Sequence, residues 1–222
     1  MAMKISVFIP ILLYSDALIR MTEQSIKQAR ENTSMPFELI LLENKTEVFK
    51  DDADTYIHTN HYNHYSRNAN ICINAAYDAD FVVGLATDAF MPEGWLEHLF
   101  ECFVVHDDCG FSTLNSSEYC IPCCDQIRED IGACVYMESR KFIDAVGNWD
   151  EEYHNSHEDY DLFVRGYMNG FKTYKNMKVM AEHIGGQTWR HQKEHDARCL
   201  KNKARFNEKF EGCDIPLFDM LR

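Results

Sequence analysis

Lys4-Ile5-Ser6-Val7-Phe8-Ile9-Pro10 is rich in β-formers and apolar at nearly every position. A strand with one wet face alternates polar and apolar residues, whereas a nearly unbroken apolar run suits a strand covered on both faces, as in a parallel sheet sandwiched by helices. Outward from this run the chain alternates helix and strand patterns, which predicts an α/β architecture with a mainly parallel central sheet flanked by helices. Leu18, Met21, Ile26 and Ala29 recur at helical spacing behind Ser15 and Asp16, either of which can cap a helix start. Phe37 to Leu42 reads as a second buried strand, and Tyr56-Ile57 as a short third. Ala69, Cys72, Ile73 and Ala76 mark the face of a further helix, and Phe81 to Leu85 the next strand. Pro92 can open a helix that buries Trp95, Leu96, Leu99, Phe100 and Phe103. Strands follow near Gly110 to Leu114 and Ala133 to Met137, then helices over Arg140 to Val146, stopped by Gly147, and over Glu158 to Asn169 before Gly170. The charged stretch from about Gln192 to Phe210 reads as a peripheral helix.

With 222 residues and 45% apolar content the chain can bury one sizeable core, and nothing in it demands a second. The formal net charge of -14 disfavours nucleic acid and anionic membranes unless a local basic patch overrides it. Arg190, Lys193, Arg198, Lys201, Lys203 and Arg205 could form such a patch. No secretory leader opens the chain and no apolar run approaches the ~20 residues needed to span a bilayer, so a soluble, cytoplasmic protein with no membrane span is expected. The nine cysteines are expected to be reduced. Cys120-x-x-Cys123-Cys124 lacks the second pair that a structural zinc site needs. The histidines at 58, 61 and 64 fit no standard metal spacing and read as a solvated loop.

Two acidic centres carry the functional reading. Asp88 closes the apolar run of Phe81 to Leu85, and His157-Glu158-Asp159-Tyr160-Asp161 opens a predicted helix. At the carboxyl ends of strands in an open α/β sheet, Pro10, Glu43 and Asp88 would converge on one crevice. Asp88 there could hold a cation or cap the helix that follows, and Glu158-Asp159 could be catalytic carboxylates or an acidic first turn favoured by the helix dipole.

The order of these pieces resembles glycosyltransferase family 2, inverting nucleotide-sugar enzymes with the single-domain, Rossmann-like GT-A fold. Ile5-Ser6-Val7-Phe8-Ile9-Pro10 looks like the family's opening strand, and Glu38-Leu39-Ile40-Leu41-Leu42-Glu43-Asn44 like its second. Ser66-Arg67-Asn68-Ala69-Asn70 is similar to its Arg-Asn turn, and Leu85-Ala86-Thr87-Asp88 with Gly94-Trp95-Leu96 to its metal-binding strand end and following helix. Val146-Gly147-Asn148-Trp149-Asp150-Glu151 and His157-Glu158-Asp159-Tyr160-Asp161-Leu162 look like the acceptor loop and the Glu-Asp motif. The resemblance covers roughly residues 1–190, leaving 191–222 as a helical extension packed on the same domain.

The resemblance implies a metal-dependent transferase that moves one sugar from a nucleotide-diphosphate sugar, most commonly UDP-linked, to an acceptor hydroxyl on a glycan or another molecule. Pro10, Ile11, Glu43, Arg67, Thr87 and Asp88 would contact the donor, with Glu43 on the base. Asp88 and His183 would hold Mn2+ or Mg2+, cations that accept carboxylate oxygen and, for manganese, imidazole nitrogen. Asp159 would be the general base, Glu158 would orient it or the acceptor, and Trp149 and Asp150 would meet the acceptor. A surface ion pair for Arg67, a core position for Trp149 and a backbone-bonded turn for His183 are the alternatives. The family's metal strand ends in two or three acidic residues, whereas Ala86 and Thr87 precede Asp88 here, so a carboxylate contact to the ribose is missing. Gln187-Thr188-Trp189-Arg190 differs in order and spacing from the Gln-x-x-Arg-Trp signature of processive synthases, so one transfer per encounter is expected. A transferase acting on a modified DNA base, and a noncatalytic nucleotide- or sugar-binding module, are the competing readings.

Overall fold

The computed structural model describes residues 3–13, 15–119, 121–185 and 195–213. The opening run forms β1 (Ile5–Leu12), buried along nearly its whole length. It is followed by α1 (Asp16–Glu31), whose first turn is capped by the Ser15 side chain accepting from the Leu18 N–H. Next come β2 (Glu38–Asn44), β3 (Thr55–Thr59), α2 (Tyr65–Ala75) and β4 (Phe81–Leu85). These four strands pair in parallel in the order β3-β2-β1-β4, the doubly wound arrangement that a continuous apolar strand predicts.

The second half continues through β5 (Ala89–Phe90), α3 (Trp95–Val105), β6 (Cys109–Ser116), β7 (Ile127–Glu129), β8 (Val135–Ser139), α4 (Arg140–Val146), α5 (Glu158–Met168), β9 (Lys172–His183) and α6 (His195–Lys209). Here the sheet is mixed. β8 runs antiparallel to both β4 and β6, β9 returns parallel to β6, and β5 and β7 add antiparallel to β9. Helix α3 starts at Trp95 rather than near Pro92, because Gly94 turns left-handed (φ 71°) at its N-cap. Asp88, six residues earlier, therefore does not cap it.

Side chains alternate between the two faces of the sheet. Val7, Ile9, Leu39, Leu41 and Val83 pack with Ile26 and Ala29 of α1 and Trp95 and Leu99 of α3. Phe8, Ile40, Leu42, Val82 and Phe111 pack on the other face with Ala69, Cys72 and Ile73 of α2, Phe142 of α4 and Leu162 and Phe163 of α5. Tyr136 of β8 stacks on Phe111 and hydrogen bonds the Tyr65 hydroxyl at 2.7 Å. Its ring lies over Gly84, where any Cβ would fall 2.4 Å from it.

Beside Tyr136, the Glu138 carboxylate is 1% exposed and accepts from the Trp149 indole N–H at 3.0 Å. Burial pushes its pKa up to about 7, against the opposing pull of that hydrogen bond and of Arg165 and Arg140. The carboxyl is therefore neutral in both folded and unfolded chains at low pH. As pH rises from the unfolded value through the folded one, only the unfolded chain ionises freely and stability is lost. Glu138→Gln keeps an acceptor for Trp149 and removes this loss. Urea unfolding should find the variant about 3 kcal/mol more stable than the parent at pH 8 and equal to it at pH 4. A constant gap at both pH values would contradict this origin.

Candidate active site

Beyond the carboxyl ends of β1 and β4 lies a pocket of about 380 Å³, within the size range of small-molecule sites. It is lined by Pro10 and Leu12 of β1, by Ala86, Thr87 and Asp88 beyond β4, and by Trp149, Ser156, Glu158 and Asp159. Asp88 and Asp159 thus share one hollow, although they lie 71 residues apart in the sequence.

Asp88 is 6% exposed. The short β5–β9 ladder, with Ala89 opposite His183, carries the late histidine to it across the fold, and the Asp88 carbonyl accepts from the Ile184 N–H. His183 Nε2 lies 3.3 Å from Asp88 Oδ1, and its Nδ1 lies 3.1 Å from Glu118 Oε2. Burial lowers the imidazole pKa, but the hydrogen bonds and charges of Asp88 and Glu118 outweigh it and the net shift is upward. The far nitrogen of a metal-binding histidine is commonly fixed by such a carboxylate. Among the described residues no group of three or more His, Cys, Asp or Glu forms a ready cation cage.

Glu158 and Asp159 start α5 behind an irregular loop in which Asn155 (φ 58°) and His157 (φ 65°) are left-handed without being glycine. Such backbone persists only where surroundings enforce it. Asn155 accepts from the Tyr65 N–H at 2.8 Å and donates to the Tyr62 hydroxyl at 2.6 Å. From α6, the Asn202 amide donates to the Ser156 carbonyl and hydroxyl at 3.0 and 2.9 Å, and Phe206 packs on His157 and Tyr160. Asp159 Oδ1 accepts from the Tyr160 N–H, while Glu158 Oε2 is buried with no hydrogen-bond partner. Burial raises both carboxyls above their ordinary values, and the neighbouring Asp159 charge raises Glu158 further.

Four residues expected at the site do not line the pocket. Ile11 points into the core from the opposite face of β1, since only alternate residues share a face, and Leu12 takes its place. Glu43 is fully buried, and its carboxylate accepts from Thr46, Val48, Phe49 and Tyr56 at 2.7–3.0 Å. Burial opposes its charge, yet these bonds hold its pKa below the usual value, so Glu43 shapes the turn after β2. Arg67 is exposed within α2, which replaces the expected Arg-Asn turn with helix. Asp150 is bound by Arg205 and Lys209 of α6 at 3.0 and 2.8 Å; against the effect of burial, these partners hold its pKa down at about 2. It anchors α6 instead of facing the pocket, and Arg205 spends its charge there instead of in a basic patch. Arg190, Lys193 and the Gln187-Thr188-Trp189-Arg190 stretch lie outside the described residues, as does Cys120.

Trp149 is both wall and core: it lines the pocket at 2% exposure, edge-on to Tyr65. Asn70 clamps its backbone, accepting from its N–H and donating to its carbonyl. Within the histidine run only His61 is an exposed loop residue: His58 lies in β3 and pairs with Glu47, and His64 is the N-cap position of α2 and stacks on His154. Asn68, from the Ser66-Arg67-Asn68-Ala69-Asn70 stretch, also lines the pocket, as do Tyr62, Asn63, Glu118, Cys134 and Asn155, which nothing in their local sequence marks.

Neither a protein-family model nor a curated protein sequence matches the chain. Solved structures do. A mannosyltransferase from Pyrobaculum calidifontis, in complex with GDP-Man and Mn2+, aligns with a TM-score of 0.62 at 13% identity, over 91% of this chain and 64% of its own. GalNAc-T7 with UDP, GalNAc and Mn2+ aligns at 0.69 and 11% identity, over 93% of this chain and 48% of its own. S. aureus TarS in complex with UDP-GlcNAc aligns at 0.69 and 10% identity, over 96% and 68%. The chain spans less than two thirds of the length of the first two. These likenesses establish the fold as GT-A. Among the described residues no helix is long and apolar enough to cross a membrane.

Proposed function

Given this fold, we propose that the protein is a metal-dependent, inverting glycosyltransferase that moves one sugar from a nucleotide-diphosphate sugar, UDP-linked by preference, to an acceptor hydroxyl. The observation that carries the reading is that Asp88 and Asp159 line one pocket at the carboxyl ends of the strands. Mn2+ or Mg2+ fits the residues present. The Asp88 carboxylate and His183 Nε2 lie side by side, with Glu118 fixing the imidazole from behind. Two protein ligands suffice where diphosphate oxygens and water complete the shell. When bound, the cation supplies neutralisation of the charge that develops on the departing diphosphate.

The chain's own groups do the rest. Pro10 and Thr87 bound the donor, and Trp149 walls the sugar and acceptor side. Asp159 takes the proton of the acceptor hydroxyl as that oxygen attacks the anomeric carbon from the side opposite the leaving diphosphate, a single displacement that inverts the centre. Glu158, which burial and the neighbouring Asp159 charge push towards its neutral form, donates a hydrogen bond to a ligand oxygen through Oε2. The acceptor is a glycan or another hydroxyl-bearing molecule.

A panel of nucleotide sugars with and without manganese, scored for nucleoside diphosphate release, tests the proposal. Release with at least one donor, lost on chelation, is the expected result. Binding of nucleotides without turnover for any donor or acceptor would favour a noncatalytic module.

A further inference from the structure

Helix α6 is charged enough to read as peripheral, yet one of its faces closes on the chain around Glu158 and Asp159. Asn202, Phe206 and Lys209 recur at i, i+4 and i+7 and so share that face. Asn202 is 4% exposed and Phe206 2%. Ahead of Glu158, Asn202 Nδ2 donates to the Ser156 carbonyl at 3.0 Å and to the Ser156 hydroxyl at 2.9 Å, with the His154 carbonyl at 3.5 Å. Behind Asp159, Phe206 packs edge-on against Tyr160, and Lys209 pairs with the fully buried Asp161 carboxylate. Helix α6 therefore grips the chain on both sides of the Glu158-Asp159 pair.

A buried amide on a helix face costs stability unless its polar atoms are bonded, and here the bonds go to loop backbone. That loop needs them. Asn155 and His157 hold left-handed backbone without being glycine, a conformation that relaxes unless its surroundings enforce it. The Tyr65 N–H and the Tyr62 hydroxyl hold Asn155 from the α2 side, and Asn202 holds Ser156, the residue between the two left-handed positions, from the α6 side. Asn155 and Ser156 line the pocket together with Glu158 and Asp159, so relaxation of this segment shifts the pocket's acidic end. We infer that Asn202 is a positioning residue for sugar transfer, holding Ser156 so that the loop delivers the Asp159 carboxylate to the acceptor hydroxyl. This inference rests on the transferase reading and adds α6 to what the reaction needs.

Nucleoside diphosphate release across a panel of UDP- and GDP-sugars, beside calorimetry of UDP and GDP in manganese, tests it on Asn202→Leu, Asn202→Ala and Phe210→Ala. Leu nearly preserves the volume of Asn202 and removes its donor; Ala gives a second reading should Leu fit the site poorly. Phe210, 4% exposed, packs with Phe206, Tyr153 and Val164, so its truncation loosens the end of α6 without removing a bond to Ser156. Both Asn202 variants should lose ~10- to 100-fold in kcat, the scale of a displacement of about 1 Å at a reacting group, with nucleotide affinity unchanged. Phe210→Ala should lose stability in urea and keep the parental kcat. Parental kcat in the Asn202 variants, an equal kcat loss in Phe210→Ala, or a matching loss of nucleotide affinity would overturn the inference and leave the transferase reading standing. A parent protein that releases nucleoside diphosphate from no sugar of the panel would sink both.

Discussion

Asp159→Asn should cut turnover by roughly 10²- to 10⁴-fold, the usual contribution of a positioned general base, while leaving the affinity for a manganese-loaded nucleoside diphosphate unchanged. Asp159 lines the same pocket as Asp88, from α5, and its carboxylate accepts a bond from its own helix. The amide is nearly isosteric, so loss of packing cannot explain the effect. The pH profile gives an independent reading. Burial raises the pKa of the base, so protonation silences it at a pH well above the ordinary carboxylate range. The rate should therefore climb with pH along a limb lying clearly above pH 4. In Asp159→Asn that limb should vanish. A variant that retained the limb with a lower plateau would show that another group takes the proton.

Asp88→Ala should produce the complementary pattern. Removing one of two protein ligands should cost on the order of 10²- to 10³-fold in kcat/KM, the equivalent of several kcal/mol of lost charge stabilisation, and should weaken manganese-dependent nucleotide binding as well. His183 would keep its Glu118 partner, and the β5–β9 ladder would keep its backbone bonds, so thermal stability should change little. Calorimetry of UDP or GDP with and without manganese, beside steady-state rates, separates the two variants: binding is lost in Asp88→Ala and kept in Asp159→Asn. Identical behaviour of the two would mean that they belong to one function rather than to opposite ends of a reaction.

Much of the fold was legible because local rules and global packing agree. The unbroken apolar run of β1, the Ser15 cap of α1, the bounds of α4 before Gly147 and the helix behind Glu158 each follow from composition and spacing alone. The antiparallel β8 was not, since strand direction is set by a crossover whose length and polarity leave both options open. At the site, Asp88, Thr87, Pro10, Glu158, Asp159, Trp149 and His183 line one pocket. Ile11 fails for a reason that strand alternation already contained. Glu43 and Asp150 fail for reasons that did not: Thr46, Val48, Phe49 and Tyr56 saturate one, and Arg205 and Lys209 towards the end of α6 capture the other. Likewise Glu118, Asn63 and Asn155 matter only through contacts across the fold, and His157 takes a left-handed backbone without the glycine that would have announced it.

The most direct test of the account is a crystal structure with manganese and an unreactive nucleotide-sugar analogue, in which anomalous scattering locates the metal. The account predicts a manganese peak within bonding distance of both Asp88 and His183, with the sugar's reactive carbon between it and the Asp159 carboxylate. A metal bound elsewhere, or a sugar whose reactive carbon faces away from Asp159, would contradict it.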